Sequence, residues 1–155
     1  MGNILSGQSL SKPTGLLYSP TKTSYTIGEL IEIANKLHKE GKRSVAEKAF
    51  RKVLEYIPDH PVALHFLGVI ALEAGNPNAA IKLIKKALNA APEYPQAYNN
   101  LGNAFLVLKR TKDAINSFSS AIALNPDYAD AIFNLGLSHR SLHDFDEAET
   151  CFETC

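Results

Sequence analysis

The chain has 155 residues, 45% of them hydrophobic and 21% charged, which is the size and composition of one globular domain with room for a sizeable core. Sixteen basic side chains balance sixteen acidic ones, which argues against a broad nucleic-acid surface, because such a surface needs a basic excess. The two cysteines, Cys151 and Cys155, offer no disulfide framework, and no apolar run approaches the ~20 residues of a membrane span, so a cytoplasmic protein without stable membrane insertion is expected.

Residues 1–25 form a leader rich in Ser, Thr, Gly and Pro, and disorder is expected there. It lacks the charged segment and apolar core of a secretory signal. Its start, MGNILS, fits the acceptor pattern for myristoylation at Gly2, with Ser6 in place. Only Lys12 and Lys22 follow as charges, and one acyl chain alone binds membranes marginally. An acylated, membrane-tethered adaptor is therefore one alternative reading.

Beyond the leader, apolar spacing and caps predict helices over 27–40, 44–57, 61–74, 77–91, 95–108, 112–124, 129–142 and 145–155. Thr26 with Glu29, Ser44 with Glu47, and Asp144 with Glu147 have capping-box spacing. Asn76 before Pro77 places a cap ahead of a proline at the first helical position. Thr111 and Asp113 open another helix, and Gly41 and Gly75 break the turns within pairs.

Displacing the sequence by 34 positions against itself brings Pro58, Pro92 and Pro126 into register, and likewise Ala46, Ala80, Ala114 and Ala148. Ala34, Gly68, Gly102 and Gly136 form another column, as do Phe50, Ile84, Phe118 and Phe152. So many columns at one period mark a repeat architecture. The small residues sit where two helices approach closely, and a larger side chain there would overpack the contact. The prolines end the second helix of each unit. One helix pair buries too little by itself, so the pairs are expected to stack into a continuous core.

The unit, with Leu-Gly in its first helix, Ala-x-x-x-Phe-x-x-Ala in its second and a closing Pro, resembles the tetratricopeptide repeat. The resemblance covers about 27–155 and is fullest over PQAYNNLGNAFLVLKRTKDAINSFSSAIALNPDY. It implies an all-α, right-handed solenoid of antiparallel helix pairs, with repeats at 27–60, 61–94, 95–128 and a last, incomplete one at 129–155. It also implies a protein-binding role without catalysis, in which the first helices line a concave groove for an extended peptide or partner protein. His139 departs from the pattern, since its column usually holds an aromatic or small apolar residue.

The asparagines of YNNLGNAF, poor helix formers, fall on that implied groove. Its residues are Asn99, Asn100 and Asn103 in the third repeat, Phe133, Asn134 and Arg140 in the fourth, His65 in the second and Asn35 in the first. An Asn amide both donates and accepts, so it can hold a peptide main chain, or it can bond to a neighbouring repeat. Asn100 and Asn134 match the asparagine ladder of O-linked N-acetylglucosamine transferases, while Glu32 and Phe66 in the same column do not. Loss of both amides is expected to weaken partner binding with little change in melting temperature, and Phe133 and Arg140 are expected to add a side-chain preference. A carboxylate clamp of the chaperone-binding kind is not expected, because Ile31, His65 and Asn99 stand where it would need Lys.

His139, His143, Cys151 and Cys155 match no standard zinc spacing, and each has a packing or turn reading, so neither metal nor cofactor is expected. No phosphate loop, HExxH, GxSxG elbow or converging carboxylate pair is present in the sequence. The last helix stops at Cys155 before its packing residues are complete. The array is thus also readable as the substrate-recruiting front of a larger transferase, resembling O-linked N-acetylglucosamine transferase-like proteins or sulfotransferases and methyltransferases that carry such arrays. If the chain ends at Cys155, the uncovered face of the fourth repeat is expected to self-associate.

Overall fold

A computed structural model describes residues 25–154. Residues 1–24 of the leader with its Gly2 pattern, and Cys155, lie outside the described residues. Within them are eight α-helices and no strand: α1 (Ile27–Lys39), α2 (Arg43–Tyr56), α3 (Pro61–Glu73), α4 (Pro77–Ala90), α5 (Pro95–Val107), α6 (Thr111–Leu124), α7 (Ala129–Ser141) and α8 (Phe145–Glu153). Consecutive helices pack as pairs, α1 on α2, α3 on α4, α5 on α6 and α7 on α8. The helices fall into two compact units, α1–α2 up to Pro58 and α3–α8 from Asp59. In the second unit α5 also packs on α4, and α7 on α6, so the pairs stack.

Helix starts follow local chemistry. The Thr26 hydroxyl accepts from the Glu29 amide at 3.2 Å, and the Glu29 carboxylate accepts from the Thr26 amide at 2.8 Å, which completes a capping box. Asn76 Oδ1 accepts from the Ala79 amide at 3.2 Å ahead of Pro77. Two expected boxes do not form. The amides of Val45 and Ala46 bond to the Lys42 carbonyl, so α2 starts at Arg43 and Ser44 already has helical backbone. Asp144 is the cap residue of α8 but makes no cap bond, and its carboxylate lies 3.6 Å from His139 Nδ1. Thr111 is likewise the first residue inside α6. Its neighbour Arg110 takes the cap position and donates from Nε to Asp113 at 2.7 Å.

Each pair closes on the Gly–Phe columns. A Cβ added at Gly68 would lie 2.6 Å from Ile84, at Gly102 2.5 Å from Phe118, and at Gly136 2.7 Å from Phe152. Ile84 and Phe118 are fully buried. Around them Ala80, Leu88, Ala97, Leu101, Phe105 and Ala114 form one core, with Leu135 of α7 packed against it. In the first unit Ala34 and Phe50 hold the same columns and are fully buried.

All four turns within pairs share one backbone form. Residues 41, 75, 109 and 143 have φ of 75°, 77°, 58° and 65°. The amide after each bonds five residues back, as from Lys42 to the Leu37 carbonyl at 2.9 Å and from Arg110 to the Phe105 carbonyl at 2.9 Å, the Schellman pattern. Glycine fills the first two positions. Lys109 and His143 adopt the same left-handed conformation with a Cβ, at a cost of roughly 1–2 kcal/mol each. Part of that is offset by the greater freedom glycine has in the unfolded chain. Lys109→Gly is therefore expected to raise unfolding stability by about 0.5–1 kcal/mol. Urea denaturation of the two proteins checks this, and an unchanged or lowered midpoint would show that the turn carries no such strain.

Candidate protein-interaction face

The first helices of the second unit, α3, α5 and α7, are tied together by side chains in a pattern that recurs from one repeat to the next. His65 on α3 is buried, with 4% of its surface exposed. The Tyr94 hydroxyl lies 2.8 Å from its Nδ1, and Asn100 Nδ2 lies 2.8 Å from its Nε2. With the Asn100 amide donating, Nε2 must accept, so the neutral ring carries its proton on Nδ1 and donates it to the Tyr94 oxygen. The two rings also meet at 4.7 Å between centroids.

One repeat later Asn99 stands in the position of His65 and is 6% exposed. Tyr128 lies close enough to it for Asn99 to influence its phenol. Asn134 Nδ2 donates to Asn99 Oδ1 at 3.2 Å and to Asn103 Oδ1 at 3.3 Å. Tyr94 and Tyr128 are both cap residues, of α5 and α7. Thus the Asn six residues beyond each cap Tyr grips one polar side chain of the preceding repeat, and this happens twice, with the Tyr94 hydroxyl joining in the first case. Burial pushes the Tyr94 phenol up to about 12, with Tyr128 contributing. Burial and then Asp130 also raise Tyr128, against the lowering effect of Asn99. Both phenols stay neutral at ordinary pH, the form in which each can donate as well as accept.

The residues singled out in the sequence therefore divide. His65 and Asn99 are buried inside these clasps, and Asn100, Asn103 and Asn134 are half-buried at their edge. Phe133 is 49% exposed, with its ring 5.7 Å from that of Phe152, and Arg140 is exposed. Asn35 lies in the first unit, half-buried, with Oδ1 lacking any hydrogen-bond partner. Because Asn100 and Asn134 hold repeats together, their loss is expected to lower the melting temperature too, contrary to the expectation from sequence. Tyr94 and Tyr128 escape the sequence reading, although their 34-residue separation is available in the register. His139 faces Asp144, whereas His143 meets Phe145 edge to face at 5.8 Å between ring centroids, so the two histidines serve different neighbours.

Stacked helix pairs, a repeated polar clasp and a mixed face of Asn, Phe and Arg define an α-helical repeat scaffold. A sequence profile of the tetratricopeptide repeat matches residues 32–98, 67–129 and 99–154, and the chain belongs to the tetratricopeptide repeat family. The fold is that of a protein-interaction scaffold, generally non-catalytic. A crystal structure of MamA is similar with a TM-score of 0.71 at 34% identity, over 79% of this chain and 71% of that one. An O-GlcNAc transferase from Thermobaculum terrenum is similar with a TM-score of 0.71 at 31% identity, over 73% of this chain and 22% of the transferase. A tetratricopeptide protein of Thermus thermophilus, at 24% identity and a TM-score of 0.73 over 83% of this chain and 72% of that one, shares the fold. No curated protein matches. No helix among the described residues is long and apolar enough to cross a membrane.

The clasp is testable as a unit. Asn100→Ala leaves the buried Nε2 of His65 without a donor and is expected to cost about 1–3 kcal/mol. In a His65→Leu background the same change should cost far less. A double-mutant cycle by urea denaturation measures the coupling, and strictly additive losses would show that the two side chains do not depend on each other.

Proposed function

We propose that the second unit binds an extended peptide segment of a partner protein along α3, α5 and α7. One observation carries this reading. Asn100 and Asn134 each spend the NH2 of the amide on the preceding repeat, while neither carbonyl oxygen has a protein partner among the described residues. Two acceptors, one repeat apart and held in fixed orientation, suit main-chain N–H groups of an extended chain. Such acceptors recognise backbone with little regard to sequence. Exposed Phe133 and Arg140 supply side-chain preference, Phe133 for an apolar residue and Arg140 for an acidic one.

Peptides selected from a random-sequence display library test the reading. N-methylation of the contacting peptide amides and, separately, Arg140→Ala are each expected to weaken binding about tenfold, equivalent to ~1.4 kcal/mol. Selected peptides that bind the Arg140 variant and the N-methylated form unchanged would refute this mode of recognition.

The similarity to a transferase of which this chain spans 22% supports a second reading, a substrate-recruiting region within a larger enzyme. A native protein far heavier than 16.9 kDa would favour it.

A further inference from the structure

The zero net charge conceals a strong segregation. Residues 77–112 carry six basic side chains and one acidic one, Glu93, whereas residues 113–154 carry eight acidic side chains and one basic one, Arg140. Both segments lie in the second unit.

The basic side chains gather into one patch. Lys85 on α4 and Arg110 in the turn after α5 both lie over the Phe105 ring, at 5.8 Å and 4.6 Å from its centroid. Lys82 is one turn from Lys85 on α4, and Lys109 and Lys112 flank Arg110. Lys82, Lys85, Lys109 and Lys112 are exposed and make no ion pair among the described residues, while Arg110 shares its charge with Asp113. Val107, in the last turn of α5 beside them, is 59% exposed.

The surface of opposite sign belongs to α8. Asp146, Glu147, Glu149 and Glu153 are exposed and make no ion pair among the described residues. Asp146, Glu149 and Glu153, spaced i, i+3 and i+7, share one side of the helix, and Phe145 at its start is 61% exposed. Unpaired charge of one sign beside an exposed apolar residue is thus matched by unpaired charge of the other sign beside a second one.

We propose that the basic patch around Lys85 and Arg110 is a docking surface for the acidic α8 face of a second copy of this chain. Different surfaces meet, so the contact is heterologous and each bound pair leaves one surface of each kind unused. Association then propagates head to tail and does not close at a symmetric dimer. Charge drives encounter as well as contact, so it weakens with salt. None of the charged residues on these surfaces is one assigned to peptide contact, so the proposal does not depend on peptide binding.

Sedimentation of the whole chain tests it, with two neutralised variants, Lys85→Gln/Arg110→Gln and Glu149→Gln/Glu153→Gln. The wild type is expected to associate at ~0.01 M salt, where screening extends about 30 Å, and to dissociate at ~1 M, where it extends about 3 Å. Each variant alone should associate far more weakly. Their mixture should form a one-to-one complex, because one retains the acidic face and the other the basic patch. All these positions are exposed, and unchanged helical circular dichroism controls for folding. A wild type monomeric at low salt would overturn the proposal, as would variants that associate undiminished or a mixture that stays monomeric. A monomeric wild type that bound heparin through the same lysines would assign the patch to another class of ligand and overturn it too.

Discussion

The contact on which the rest depends is the one without a Cβ. At Gly68, Gly102 and Gly136 the first helix of a pair lies so near the second that Ile84, Phe118 or Phe152 occupies the space a methyl group would need. Protein interiors are packed as densely as molecular crystals, so this spacing fixes how far apart the two helices lie. The pair is then the rigid unit that stacks. Glycine in a helix interior costs about 1 kcal/mol relative to alanine, and the ring against the bare backbone returns that cost as buried contact.

Stacking apolar columns would join the pairs with little control of angle. The polar clasps add direction. His65 and Asn99 are buried and would destabilise the stack if left unbonded, since a buried polar group without a partner is costly. Each instead receives an Asn from the next repeat, and His65 a Tyr as well. The same bonds orient the Asn amides whose oxygens we propose meet a peptide. Under that proposal stability and recognition share side chains, which is why removal of Asn100 cannot test binding alone.

The helices are legible in the sequence because the repeat columns are steric: small, aromatic and proline positions recur at 34 residues regardless of what each repeat binds. The helix ends observed lie within a residue or two of those expected. The turn strain at Lys109 and His143 is hidden, since neither residue advertises a left-handed backbone as Gly41 and Gly75 do. The Ser44 box fails because α2 gains a residue at its start. The clasps are hidden for a different reason. They join side chains 29 and 35 residues apart, and alignment at 34 reveals equivalent positions, not the diagonal contacts between them. Asn99 and Asn134 therefore read as similar groove residues, though one is buried as acceptor and the other donates to it from the edge.

The most direct test is the unfolding free energy of Gly102→Ala measured both alone and with Phe118→Leu. Overpacking costs about 1–3 kcal/mol against a helix-propensity gain of ~1 kcal/mol. The account predicts that alanine destabilises the native core yet is neutral or stabilising once the smaller leucine makes room. A gain in stability from alanine with Phe118 still in place would contradict the close-approach constraint on which the repeat rests.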